Sequence, residues 1–188
     1  MPGLYTRVRA VFLTIDSAKV SGVVLSEPNF DARDAVRGYS SDEFGLATKQ
    51  QHREDWAQYA KELAESHQLP LVVVGEQWTP HGLSRAAYAS LCASWGLWLA
   101  ALENAGVDPK RIVRVNPQTW RSAVFGRHQP KTREGLKTLA VQYVHKALGA
   151  PPNVSHDIAE AMCLRVWAER AAEVHAVLEP KKKKRKAA

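Results

Sequence analysis

Two short apolar runs in this 188-residue chain each end on a carboxylate. Val11-Phe12-Leu13-Thr14-Ile15 leads into Asp16, and Leu71-Val72-Val73-Val74-Gly75 leads into Glu76. Runs of this length and composition predict buried strands. Isolated carboxylates belong on surfaces rather than at the exits of such strands, and strand ends of an open α/β sheet are where ligand sites form. A second pair, Asp157 and Glu160, stands three residues apart at the start of a predicted helix, so both project from one helix face. Converging carboxylates with little positive charge nearby repel unless hard cations lie between them. The residues therefore point to a Mg2+ or Mn2+ site, whose natural chemistry is phosphodiester cleavage. Each acid alone has a plainer reading: helix-start decoration for Asp157 and Glu160, a turn for Asp16, a surface loop for Glu76. Their order along the chain favours a site.

The remaining pattern predicts an α/β or mixed-sheet architecture. Residues 8–16 alternate as a strand, and Val20 to Leu25 forms a second after the turn Ser17-Ala18-Lys19, so a hairpin is expected. A third, edge strand is expected around Ala32–Val36. Residues 47–66 predict a helix with an apolar stripe through Trp56, Tyr59, Ala60 and Leu63. Gly82 to Ala105 predicts a long helix stopped by Gly106, and Arg111 to Val115 a short strand. Pro117 opens a helical turn. Lys131 to Leu148 predicts a helix closed by Gly149, and Ser155 caps a last helix over 156–178. No glycine-rich phosphate loop is present, which argues against a doubly wound nucleotide fold or an actin-like ATPase.

The chain is 45% apolar, enough for one domain with a sizeable core, placed at residues 1–178. Its formal net charge of +7 is concentrated: Lys181, Lys182, Lys183, Lys184, Arg185 and Lys186 contribute six charges, leaving +1 for the rest. Residues 179–188 are expected to be a disordered basic tail. It could hold nucleic-acid phosphates nonspecifically, act as a nuclear-import signal, or be an appended tag. No apolar run is long enough to span a membrane and no secretory signal pattern opens the chain. Cys92 and Cys163 lie in apolar helical patterns and are expected to be small buried side chains. These features suggest a cytoplasmic protein, or a nuclear one if the tail directs import.

Four segments in order resemble the RuvC family of Holliday-junction resolvases, especially its phage-type members, within the ribonuclease H-like superfamily. They are Thr14-Ile15-Asp16-Ser17-Ala18-Lys19-Val20-Ser21-Gly22-Val23-Val24, then Val72-Val73-Val74-Gly75-Glu76-Gln77-Trp78. Next comes Val115-Asn116-Pro117-Gln118-Thr119-Trp120-Arg121-Ser122-Ala123-Val124-Phe125-Gly126 with Lys131 following, and finally His156-Asp157-Ile158-Ala159-Glu160-Ala161. The resemblance spans residues 9 to about 170 and implies a mixed β-sheet flanked by helices.

It further implies a catalytic and metal-binding set of Asp16, Glu76, Asp157 and Glu160. Asp16 would bridge two Mg2+ ions, replaceable by Mn2+, while Glu76, Asp157 and Glu160 complete the coordination. Arg121 and Lys131 would bind the scissile phosphate or its neighbours, although solvated surface cations are the plainer reading. Trp78 would stack on a base at the junction centre, worth about 1–3 kcal/mol, or serve as an ordinary lid tryptophan. The products would carry 5′-phosphate and 3′-hydroxyl ends. Two departures stand out. Glu160 replaces the aspartate many relatives carry, so its ligation could run through water, and the Ser17–Lys19 turn is one residue short. His156 is either a proton-transfer group or a cap.

A four-way junction has approximate two-fold symmetry, so a homodimer is expected to cut both strands. The helix from Gly82 to Ala105 carries surplus apolar residues, Leu91, Trp95, Leu97, Trp98, Leu99 and Leu102, which fit either a dimer interface or a fully enclosed core helix. Two other functions compete. One is a ribonuclease H-like nuclease on RNA–DNA hybrids or flaps; the other is a noncatalytic nucleic-acid-binding module driven by the tail.

Overall fold

The computed structural model of the chain describes residues 9–17, 21–26 and 46–178. The expected edge strand near residue 34, the tip of the first hairpin and the basic tail lie outside the described residues.

The strands are β1 (Val11–Ser17), β2 (Ser21–Ser26), β3 (Leu71–Glu76) and β4 (Ile112–Val115), in the spatial order β2-β1-β3-β4. β2 is antiparallel to β1, with Asp16 opposite Gly22; β1 and β3 are parallel with Ile15 opposite Gly75, and β3 and β4 are parallel with Glu76 opposite Val115. This is the mixed sheet expected from a hairpin followed by helix–strand alternation. Helices are α1 (Leu46–Ser66), α2 (Arg85–Asn104), α3 (Pro117–Phe125), α4 (Arg133–Leu148), α5 (His156–Ala168) and α6 (Ala172–Leu178).

Strand alternation divides the core. Val11, Leu13, Ile15, Val23 and Val73 face one side, against α1 and α2. Phe12, Val24, Val72, Val74 and Val115 face the other, against α3, α4 and α5. Asp16 and Glu76 continue the second series, and both are buried. They therefore point to the same face of adjacent parallel strands, at the end where α5 begins.

α5 is the central helix of that layer. Every residue from Ile158 to Ala168 is buried. Thr14, fully buried on β1, donates from Oγ1 to the Ala161 carbonyl at 3.0 Å, anchoring the helix to the strand. Gly22 admits the start of α5 against β2: a β-carbon there would overlap the Asp157 carbonyl. On the opposite face a β-carbon at Gly75 would overlap the Trp95 ring.

Three local expectations need correction. The last helix is not continuous over 156–178. It ends at Ala168, where hydrogen bonds tighten to Arg170 N–Trp167 O and Ala171 N–Ala168 O before α6 begins. On α1 the buried stripe runs through Ala57, Ala60 and Ala64, whose small side chains let the helix approach the sheet, while Tyr59 is 42% exposed. Cys163 is buried, but Cys92 is exposed, because it lies two turns before Leu99 on the outward side of α2. Of the two placements expected for Trp95 and Trp98, core or interface, both take the core, whereas Leu97 and Leu99 are 41% and 38% exposed. Among the described residues no helix is long and apolar enough to cross a membrane.

Candidate active site

Three elements deliver the predicted acids to one place. β1 carries Asp16 at 4% exposure and β3 ends on Glu76 at 1%. α5 presents Asp157 and Glu160 from its first two turns, after Ser155 accepts a hydrogen bond from the Ile158 N–H at 3.3 Å. Carboxylate oxygens of Asp16, Asp157 and Glu160 all lie within 4.8 Å of one another. Glu76 stands beside this trio on a different set of contacts. Its Oε1 accepts from the Trp120 indole Nε1–H at 2.8 Å and lies 3.7 Å from Arg121.

The electrostatics follow from burial and crowding. Burial raises the Asp16 carboxyl well above the ordinary range, and the charges of Glu76, Glu160 and Asp157 add to that, with Arg121 opposing. Burial also lifts Glu76 to about 7, resisted first by Arg121, while Glu160 pushes it further up; hydrogen bonds with Trp120 and Asp16 lower it. Asp16 and Glu76 are thus close enough to share a proton.

The surroundings are less devoid of positive charge than the sequence suggests. Arg121 donates to Glu160 Oε1 at 2.8 Å, and Lys137 on α4 lies 3.6 Å from Asp157 Oδ1. Arg121, expected to handle phosphate, is thus folded onto the carboxylates. The anticipated Lys131 is exposed ahead of α4; Lys137 is the lysine that reaches the site. No motif marked Lys137, whose only sequence signal is its place on an apolar helix. In protein stripped of divalent ions, Lys137→Met should lower stability by about 1 kcal/mol at low salt. Urea unfolding at low and high ionic strength checks this, and a loss that is absent at low salt would show the pair contributes nothing.

β4 continues through Asn116, whose side chain caps α3 by accepting from the Gln118 N–H at 2.8 Å, with Pro117 in the first turn. That cap aims Trp120 inward and Arg121 at the acids. Trp78 is half-buried just beyond β3, with an indole N–H that meets no acceptor among the described residues. His156 is exposed at the first position of α5.

The donor set fits a divalent cation. Asp16, Asp157 and Glu160 offer only carboxylate oxygen, from a strand and a helix, and beside them Glu76 Oε2 is buried with no hydrogen-bond donor among the described residues.

No family model and no curated protein matches this chain. Among solved structures, Thermus thermophilus RuvC aligns with a TM-score of 0.52 at 20% identity, covering 89% of this chain and 94% of that one. The chain has the RuvC fold. T. thermophilus RuvC in complex with Holliday junction substrate aligns similarly, with a TM-score of 0.51 at 15% identity over 89% of this chain and 93% of that one. The architecture expected from the motifs, a mixed sheet flanked by helices, is therefore the RuvC architecture, and its acids converge where β1 and β3 of that fold end.

Proposed function

We propose that this protein is a divalent-metal-dependent endodeoxyribonuclease that resolves four-way DNA junctions by symmetric nicking. The observation that carries the reading is the convergence of Asp16, Asp157 and Glu160, with Glu76 buried alongside, in a chain of RuvC fold. A nucleic-acid-binding module gains nothing from burying four carboxylates at one end of its sheet, because each would repel backbone phosphate. Branched DNA is chosen over other nucleic acids because T. thermophilus RuvC, which shares the fold, has been solved in complex with Holliday junction substrate.

Asp16, Asp157 and Glu160 would hold Mg2+, or Mn2+ in its place, with Glu76 contributing from β3; the donor number suits two ions. When bound, such ions activate the attacking nucleophile and stabilise the leaving oxygen of an in-line phosphodiester displacement. Arg121 and Lys137 balance part of the carboxylate charge and lie where an incoming phosphate would meet them. Trp78, just beyond Glu76, would contact unstacked bases, and Lys131 and the basic tail at Lys181–Lys186 would add phosphate affinity that weakens with salt. The exposed Leu97, Leu99 and Tyr59 suit a homodimer interface that would set two sites on a two-fold junction.

Cleavage of a synthetic four-way junction, compared with linear duplex and an RNA–DNA hybrid, tests the proposal. Paired nicks in the junction alone, dependent on Mg2+, are expected. Hybrid cleavage would instead assign a ribonuclease H activity, and metal-independent binding without cleavage would leave only a binding module.

A further inference from the structure

The two oxygens of Glu76 meet different surroundings. Oε1 accepts from the Trp120 indole at 2.8 Å and faces the Arg121 guanidinium at 3.7 Å. Oε2 is buried and, with both carboxylates ionised, finds no donor among the described residues. The side chain is 1% exposed, so water does not equalise them. The Asp16 carboxyl stands beside Glu76 and can exchange a hydrogen bond with it when one of the two is protonated.

Trp120 is itself held rigidly. It is fully buried, packs edge-to-face on Phe125 at 5.8 Å, and Phe125 packs in turn on Tyr143 of α4 at 5.6 Å. The Arg121 guanidinium lies 5.1 Å from its ring centroid. An indole N–H is a donor only and does not titrate, so its one bond always favours an acceptor at the same point. A buried indole N–H needs an acceptor, but a backbone carbonyl or a neutral side chain would serve, and a buried glutamate costs folding energy except as far as pairing and hydrogen bonds offset it.

We propose that Trp120 is a positioning residue for Glu76. With Arg121 it occupies Oε1, leaving Oε2 as the single oxygen that Glu76 presents to a divalent cation beside Asp16. Glu76 then binds through one defined oxygen rather than swinging between one-oxygen and two-oxygen ligation. The inference deepens the metal-site reading of the proposed function, and only its kinetic arm depends on the nuclease activity.

The test is Mn2+ binding to the full-length protein without DNA, followed by the loss of the free Mn2+ paramagnetic resonance signal. Trp120→Phe retains a ring and loses the N–H; it should bind Mn2+ roughly tenfold more weakly, about 1.4 kcal/mol. Replacing Trp120 by 3-benzothienylalanine substitutes sulphur for the N–H in a ring of the same shape. It should show the same weakening with little change in melting temperature, which separates positioning from packing. The double variant Glu76→Gln/Trp120→Phe should bind no more weakly than Glu76→Gln alone. In junction nicking the isosteric replacement should lower kcat and leave KM for DNA unchanged. Wild-type affinity in the isosteric protein, with the parent binding normally, overturns the positioning role and leaves the metal site standing. A parent protein that binds no Mn2+ overturns both.

Discussion

Asp16→Asn should abolish Mg2+-dependent junction nicking, by on the order of a thousandfold or more, and at the same time stabilise the protein when divalent ions are removed. The two effects share a cause. Asp16 is 4% exposed and faces three other carboxylates, so burial and like charge hold its carboxyl well above the usual range. The folded state therefore binds a proton more tightly than the unfolded chain does. Between the unfolded and folded pKa values the native state carries more protons, so stability falls as pH rises through that interval. Above the folded value the full cost remains, and a neutral amide removes it. Glu76 behaves the same way between 4.5 and about 7, where its shift corresponds to about 3 kcal/mol. Urea unfolding in chelator at about pH 5 and pH 8 should show wild-type protein weakening toward the alkaline side and Asp16→Asn weakening less. Added Mg2+ should restore the wild type and do little for the variant. A variant that is less stable than wild type at the higher pH would contradict the electrostatic account of the site.

Gly22→Ala should be the most damaging single-methyl change in the described sheet. Gly22 sits opposite Asp16 in the β1–β2 register, and a β-carbon there would run into the carbonyl that opens α5. The obstacle is backbone on both sides, so no side-chain rotation relieves it. α5 would have to retreat from β2, carrying Asp157 and Glu160 away from Asp16. Stability should drop by about 3 kcal/mol or more, and nicking by about a hundredfold in whatever protein remains folded, since a displacement near 1 Å is enough for that. Gly96→Ala is the control: a β-carbon on that outward position of α2 meets nothing, and the change should stabilise by about 0.5–1 kcal/mol. Equal melting temperatures for Gly22→Ala and wild type would mean that α5 is not held by this contact.

Much of the site was legible before the fold was known, because its signals are local. A strand of alternating or continuous apolar residues that stops on an acid declares both the strand and the end where a ligand can be met. A serine cap followed by Asp157 and Glu160 declares the helix start and its shared face. The same local logic worked for the α3 start at Asn116-Pro117. It failed for Cys92 and Tyr59, where an apolar composition concealed which side of the helix meets the sheet. It failed as well at Glu169–Ala171, where no glycine or proline announces the helix break.

The charges around the acids were a different matter. Sequence pattern predicted an under-neutralised cluster and the family resemblance nominated Lys131; the fold brings Lys137 to Asp157 and turns Arg121 onto Glu160 and Glu76. Trp120 lay within a motif already singled out, yet nothing local shows that its N–H meets a carboxylate on another strand.

By itself, then, the amino-acid order determined most of the elements and the face each strand offers, which follow from spacing within one segment, and it nominated the acids through their order along the chain. Only the tertiary structure decided which oxygens lie near one another, which cations reach them, and which oxygen of Glu76 is left free. Those depend on how β1, β3, α3, α4 and α5 pack, and a shift of a few ångströms between elements, invisible in any single segment, changes a hydrogen bond into an empty contact.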